Sequence, residues 1–154
     1  EVDQSKLKNA NTIVFSPGPG SPKDYPLSSK IYNQFKGKKK IIGICLGFQQ
    51  ILFCEGAKII EQKKIYHGFQ SEVKVNNLSQ LFSYGKKFKV GRYHSLKLKE
   101  PFVAKNFKIT MRCAISKVAM SFENNIDNVY GFQFHPESFL TYNGNLLIKK
   151  VLSA

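Results

Sequence analysis

KIIGICLGFQQILFCEG, residues 40–56, joins a short apolar run directly to a segment with helical periodicity. Residues 41–44 are apolar apart from one glycine, which is typical of a buried strand. Residues 46–55 carry an apolar face and stop before Gly56, a common signal for the end of a helix. The sequence therefore predicts a strand that becomes a helix at Cys45. Buried strands followed by helices are characteristic of parallel sheets with helices on their faces, so this unit indicates an α/β fold.

The residues before this unit repeat its pattern. Residues 11–15 form a β-rich run that ends in SPGPGSP, residues 16–22, a segment too rich in proline and glycine for a helix or a paired strand. Residues 27–35 then carry apolar and aromatic side chains at helical spacing. We therefore expect strand, loop, helix, strand and helix in succession, with ligands bound at the carboxyl ends of the parallel strands.

The second half of the chain predicts further strands of a different kind. Five short β-rich pieces lie at residues 72–75, 87–90, 108–111, 119–122 and 129–134. Asparagine pairs at two of their boundaries favour tight turns, and hence antiparallel pairing. A final helix is predicted at residues 143–152, with Leu146, Leu147, Ile148 and Val151 facing inward. The predicted fold is one α/β domain over residues 1–154, an open, mostly parallel sheet flanked by helices with added antiparallel strands.

The charge of the chain, formally +14, raises the question of nucleic-acid binding. Of its 24 basic residues 22 are lysines, spread along the sequence, and only Arg92 and Arg112 are arginines. Recognition of phosphates and bases favours the planar fork of arginine, so we expect no nucleic-acid partner. No apolar run approaches the roughly 20 residues that span a bilayer, and no signal-peptide pattern is present. We expect a cytoplasmic protein without membrane contact.

Cysteine and histidine usage argues against disulfides and metal. The three cysteines are an odd number without C-x-x-C spacing, which is not typical of a disulfide framework or a structural zinc site. The three histidines do not pair with other ligands at helical or zinc-knuckle spacing. We expect a reducing compartment, no metal and no cofactor.

Cys45 lies between Gly43 and Gly47, at the predicted strand-to-helix turn. A nucleophile on such a sharp turn needs small neighbours, because side chains there would collide. The helix N-terminus favours a thiolate, and its free N–H groups, beginning with that of Leu46, can stabilise an oxyanion. The alternative is that Cys45 is a core thiol and that the glycines only let the helix pack closely on the sheet.

His135 and Glu137 occur in FQFHPES, residues 132–138. The residue before a proline is extended, so His135 is predicted where a strand gives way to a loop. Glu137, two residues further along an extended path, points the same way and can accept the second N–H of the imidazole. This pair suits a base and its orienting carboxylate. The alternative is a strand-end histidine bonded to backbone.

Five motifs together carry a resemblance to a known family. They are SPGPGSP, GICLGFQ, HGFQS, RYHSL and FQFHPES, in that order along residues 11–152. The set resembles the glutaminase component of anthranilate synthase and 4-amino-4-deoxychorismate synthase, within the class I, triad-type glutamine amidotransferases. The resemblance implies their flavodoxin-like core. It also implies hydrolysis of L-glutamine to glutamate and ammonia, with ammonia passed to a chorismate-binding synthase subunit in a heteromer.

The resemblance also implies roles for individual residues. Cys45 would be the nucleophile, His135 the proton shuttle and Glu137 its orienter. The backbones of Gly18 and Leu46 would form the oxyanion hole. Substrate-binding groups would come from Gln49, Ser95 and Leu96. Two of these assignments also have independent support. The Gly- and Pro-rich loop at Gly18 is rigid and has few side chains, so its N–H groups can approach a reacting centre closely. Gln49 lies one helical turn beyond Cys45, on the same face of the helix.

Three departures from the family pattern bear on these expectations. Phe48 stands where the branch usually has histidine, and Phe69-Gln70 where it usually has Lys-Thr. We expect both near a partner surface, with the triad unaffected. The strand and helix that open family members, before the segment starting near Val2, are expected to be missing. We therefore expect a fragment of a longer chain, with the missing strand inside the family sheet.

Other functions remain open at this point. A glutaminase of another amidotransferase, or a cysteine hydrolase acting on γ-glutamyl compounds without a partner, would share the triad. An inactive binding or regulatory module would keep the fold without the activity. The motifs also leave the product open, because anthranilate and 4-amino-4-deoxychorismate synthases share them.

Overall fold

The structure is a computed structural model, and it describes residues 2–154. This described part contains four α-helices, α1 Gln4–Asn9, α2 Pro26–Phe35, α3 Leu46–Cys54 and α4 Gly144–Leu152, with a short 3-10 helix at Pro22–Asp24. Nine strands accompany them, β1 Thr12–Phe15, β2 Lys40–Ile44, β3 Ile59–Glu61, β4 Phe69–Val75, β5 Lys87–Arg92, β6 Leu96–Leu98, β7 Lys108–Cys113, β8 Ala119–Asn124 and β9 Val129–Phe132. None of the helices described is long and apolar enough to cross a membrane.

Seven strands form one sheet in the order β1-β2-β9-β8-β7-β4-β5, and β3 pairs with β6 in a separate ribbon. β1, β2 and β9 are parallel, whereas the remaining neighbours pair antiparallel. The predicted α/β class and the antiparallel additions are confirmed. The sheet is mixed, however, and its parallel part is confined to three strands. Parallel pairing needs a crossover of about a dozen residues or more, which the short links from β7 through β8 to β9 do not provide.

β2 forms the centre of the core, and all five of its residues are buried. Successive residues point to opposite faces, so Ile42 and Ile44 contact one apolar cluster while Ile41 contacts the other. The first cluster includes Leu147 and Val151 of α4, and the second includes buried residues of α2 and α3. Helices therefore cover both faces, as the continuous apolar run of β2 predicts.

Three details differ from the sequence prediction. Leu146 was predicted to face inward, but its side chain is 44% exposed, because Leu147 and Val151, four residues apart, define the buried face of α4. The helix α1 was missed although Asp3 caps it by accepting from the N–H groups of Ser5 and Lys6. The β3–β6 ribbon was also missed, because strands of three residues carry little periodic signal.

β1 lies at one end of the sheet, where it pairs with β2 and leaves its outer edge uncovered among residues 2–154. Val14 on this strand is 56% exposed. An additional strand before β1 remains a prediction.

Candidate active site

Cys45 occupies a strained turn between β2 and α3. Its φ of 53° and ψ of −103° are unusual for a residue with a side chain, and such a conformation costs of order 1–3 kcal/mol. The N–H of Cys45 donates to the carbonyl of Phe132 at 2.8 Å, which fixes the turn against β9. The predicted sharp strand-to-helix turn is therefore present.

Gly43 and Gly47 allow this turn to form. A Cβ atom on Gly43 would lie 2.5 Å from the carbonyl carbon of Gly47, and one on Gly47 would collide with the backbone carbonyl of Phe15 in β1. Close packing of α3 on the sheet and the strained backbone conformation of Cys45 thus depend on the same two glycines. The two interpretations of the motif are not exclusive.

The Cys45 thiol is buried, and burial raises its pKa to about 11. The backbone N–H of Leu46 lowers this pKa, and the charge of Glu137 raises it. Sequence reasoning predicted a thiolate at the helix N-terminus. The N–H of Leu46 acts in the predicted direction, but burial outweighs it. Cys45 is therefore protonated near neutral pH in the resting protein and needs a base to become a nucleophile.

A cavity of about 160 Å³ lies directly over this turn. It is lined by Gly18, Pro19, Gly20, Cys45, Leu46, Gln49, His67, Tyr93, His94, Ser95 and Leu96. The structure thus gathers Cys45 and all five residues that the sequence predicted for oxyanion and substrate binding. His135 and Glu137 do not line this cavity.

The fold explains this convergence. The loop of Gly18 follows β1, Cys45 follows β2 and His135 lies just beyond β9, so all three come from the carboxyl ends of the parallel strands. Gly18 approaches the helix start closely, since a Cβ there would lie 3.1 Å from Cδ2 of Leu46. Tyr25 holds the loop in place by donating its hydroxyl to the carbonyl of Pro19 at 2.7 Å.

His135 and Glu137 are in direct contact. Nδ1 of His135 lies 2.6 Å from Oε1 of Glu137, while Nε2 of His135 is buried and has no hydrogen-bond partner among residues 2–154. The ring packs against Tyr93, with centroids 4.8 Å apart. The imidazole is therefore held by a carboxylate on one side and keeps a free nitrogen on the other. This differs from the alternative of a ring bonded to backbone.

Gln133 is a polar residue of the site that sequence reasoning missed. It is fully buried, its Nε2 lies 3.9 Å from Sγ of Cys45, and its Oε1 accepts from Nε2 of Gln49 at 3.0 Å. Gln49 also reaches the carbonyl of Leu96, at 3.3 Å. A glutamine between two buried phenylalanines was the available signal, because buried amides need specific partners.

Comparisons with known proteins place the sequence in a family. The model of the class-I glutamine amidotransferases matches residues 1–154. The chain belongs to this family. Similar amidotransferase chains include anthranilate synthase component 2 of Lactococcus lactis, 37% identical over 147 residues that cover 95% of this chain and 74% of the relative. The bifunctional protein TrpGD of Thermotoga maritima is 37% identical over 153 residues, which cover 99% of this chain and 26% of that longer protein.

Solved structures agree on the amidotransferase fold. A putative GMP synthase subunit from Thermoplasma acidophilum superposes with a TM-score of 0.83 at 22% identity, covering 99% of this chain and 76% of the other. A glutamine amidotransferase from Thermotoga maritima gives a TM-score of 0.75 at 18% identity, covering 89% of this chain and 60% of the other. At these identities the likeness concerns the fold alone.

The departures from the amidotransferase pattern have different surroundings. Phe48 was expected near a partner surface, but this is wrong, because its side chain is fully buried and packs against Phe122 with ring centroids 5.3 Å apart. It faces the sheet from the first turn of α3. Phe69 is 48% exposed, and the neighbouring Gln70 is also exposed.

No group of three or more metal-ligating side chains is present within residues 2–154.

Proposed function

We propose that this chain hydrolyses L-glutamine to glutamate and ammonia, with Cys45 as nucleophile, His135 as base and acid, and Glu137 as orienter. The observation that carries this proposal is the strained Cys45 turn, which opens into a cavity lined by Gly18, Leu46 and Gln49. Nucleophiles on such turns are a recurring solution to acyl transfer.

The first step starts from the protonated thiol of Cys45. Because burial keeps Cys45 a thiol, His135 takes its proton at Nε2 as sulfur attacks the γ-carbonyl carbon of glutamine. Glu137 accepts the Nδ1–H of His135 and stabilises the imidazolium that forms. The γ-oxygen becomes an oxyanion, for which the N–H groups of Gly18 and Leu46 are the proposed donors.

The remaining steps return the enzyme to its starting state. His135 gives its proton to the leaving amine, the carbon–nitrogen bond breaks, and ammonia and a γ-glutamyl thioester on Cys45 result. Water then attacks the thioester, with His135 as base, to release glutamate and restore the thiol. The α-amino and α-carboxylate groups of the substrate would be held by Gln49 and the backbone at Ser95 and Leu96.

The partner is proposed to be a chorismate-binding synthase subunit that consumes the ammonia. Support comes from the names of relatives at 35–37% identity, several of which are anthranilate synthase component 2. The product would be anthranilate or 4-amino-4-deoxychorismate.

The test is glutamine hydrolysis by the chain with and without a chorismate-binding synthase subunit and chorismate. We expect turnover that rises when both are added and disappears in Cys45→Ala. Cys54→Ala, at a cysteine outside the cavity, serves as the matched control and should retain activity. Turnover indifferent to chorismate and the subunit would favour a partner-independent hydrolase. Equal turnover in Cys45→Ala and wild type would contradict the proposed mechanism.

A further inference from the structure

Arg92 is a buried cation that has no carboxylate partner among residues 2–154. Its side chain is fully buried at the end of β5, and among residues 2–154 it forms no salt bridge. Nη1 lies 3.5 Å from both Ser71 Oγ and Cys113 Sγ, and the guanidinium lies 3.5 Å above the ring centroid of Tyr66. Burying a cation without an opposite charge is costly, so its retention in the core points to a specific task.

The strongest directional contact of Arg92 is with His94. Nε of Arg92 donates to Nε2 of His94 at 3.0 Å. A guanidinium in a protein only donates, so Nε2 of His94 must accept and the ring proton must lie on Nδ1. Burial, with a contribution from the charge of Arg92, lowers the pKa of His94 to about 4, so the ring is neutral near pH 7.

The other nitrogen of His94 acts on the backbone of the cavity. Nδ1 lies 2.8 Å from the carbonyl oxygen of Leu96 and, in the tautomer set by Arg92, donates to it. Nε2 of Gln62 lies 3.2 Å from the same Nδ1 but donates to the carbonyl of His94 at 2.6 Å. The ring is thus a bridge from the buried cation to Leu96.

All three carbonyl groups of residues 94–96 are occupied by donors. The carbonyl of His94 accepts from Gln62 and from the N–H of Tyr66, and that of Ser95 accepts from the N–H of Gln62 at 2.9 Å. The carbonyl of Leu96 accepts from His94 and Gln49. By contrast, the N–H of Ser95 donates to no group within residues 2–154.

This arrangement suits a carboxylate. Carbonyl oxygens facing the cavity would repel the α-carboxylate of a bound amino acid, whereas a free N–H can bind it. We infer that Arg92 is a positioning residue for the proposed glutamine site: it fixes the tautomer of His94, whose Nδ1–H holds the carbonyl of Leu96 away from the bound substrate. This inference rests on the proposed function.

The experiment compares Arg92→Met and Arg92→Lys with Arg112→Met. Arg112 is the other arginine of the chain and pairs with Glu100 at the surface, so it is the matched control. Two quantities are measured, the ¹⁵N chemical shifts of the His94 ring at neutral pH and the rate at which Cys45 is labelled. Labelling is done with 6-diazo-5-oxo-L-norleucine, which carries an α-carboxylate, and with iodoacetamide, which does not.

We expect wild type and Arg112→Met to show the Nδ1–H tautomer of His94. In Arg92→Met Nε2 of His94 loses its donor, so the ring should no longer be held in one tautomer and a fraction should carry the proton on Nε2. Labelling by the amino-acid analogue should slow about tenfold, the usual effect of one lost hydrogen bond to a charged group. Labelling by iodoacetamide should change much less, whereas a general loss of structure would alter both reactions. Arg92→Lys keeps the charge but not the planar fork, so its labelling rate with the analogue should lie between those of wild type and Arg92→Met.

Several results would overturn the inference. A wild-type His94 protonated at Nε2 would do so without any variant. If glutamine protects wild type from the analogue but Arg92→Met is labelled at the wild-type rate, the role of Arg92 is rejected while the proposed function stands. If wild type itself is not labelled by the analogue, the proposed function fails and this inference fails with it.

Discussion

Glu137 has two opposite effects on Cys45 at the scale of single residues. In the proposed mechanism it supports deprotonation of the thiol through His135, whose Nδ1 lies 2.6 Å from its carboxylate. Through its charge it raises the pKa of the same thiol, in the direction of the larger effect of burial. A thiol that stays protonated until substrate and base are aligned is protected from unwanted alkylation or oxidation.

Replacement of Glu137 by glutamine should separate these effects. Removal of the negative charge lowers the pKa of Cys45, so more thiolate is present at a given pH and alkylation by iodoacetamide becomes faster at pH 8. Glutamine hydrolysis should nevertheless fall by about a hundredfold, because the imidazolium loses its carboxylate. The measurement is the pH profile of alkylation, with Cys54 as an internal control. Slower alkylation together with slower turnover would count against this division of roles.

At the scale of elements, the contact between α3 and β1 depends on the absence of a side chain at Gly47. This helix contributes Leu46 and Gln49 to the cavity, so its distance from the sheet sets the width of the site. Gly85 offers a contrast, because it lies in a turn with φ of 80° and nothing within 4 Å of an added Cβ.

Gly47→Ala should therefore lower the free energy of unfolding by about 3 kcal/mol, because α3 must move off the carbonyl of Phe15. Gly85→Ala should lower it by only about 1 kcal/mol, the cost of a positive φ for a residue with a side chain. Denaturant unfolding of both variants tests this difference. Equal losses would mean that the packing of α3 tolerates a methyl group.

At the same scale, the strength of local signals explains what the sequence could predict. The β2–Cys45–α3 unit was predicted because an apolar run, two glycines and a helical stripe lie within 17 residues of sequence. Phe48 shows the limit of motif comparison, because a departure from a family pattern does not reveal whether the residue faces a partner or the core. Its burial depends on the packing of α3 against β8.

At the scale of the whole molecule, the site is assembled by sheet order. β9 follows the antiparallel strands in the sequence, but it pairs with β2 in the sheet. This pairing brings His135 to the end of the sheet where Cys45 lies. The roles of Arg92 and Gln133 depend on such long-range register, so no local pattern of the sequence identified their contacts. Residues that line the cavity, such as Cys45 and Gln49, could be predicted, but the contacts of the buried polar groups Arg92 and Gln133 could not.

The most direct test of the proposed glutaminase is intact-mass analysis of the chain after reaction with 6-diazo-5-oxo-L-norleucine. We predict one adduct per chain, prevented by excess L-glutamine and absent from the Cys45→Ala variant. An adduct that persists in Cys45→Ala would contradict the proposed role of this thiol. So would a complete lack of adduct in a folded sample whose Cys54 reacts normally with iodoacetamide.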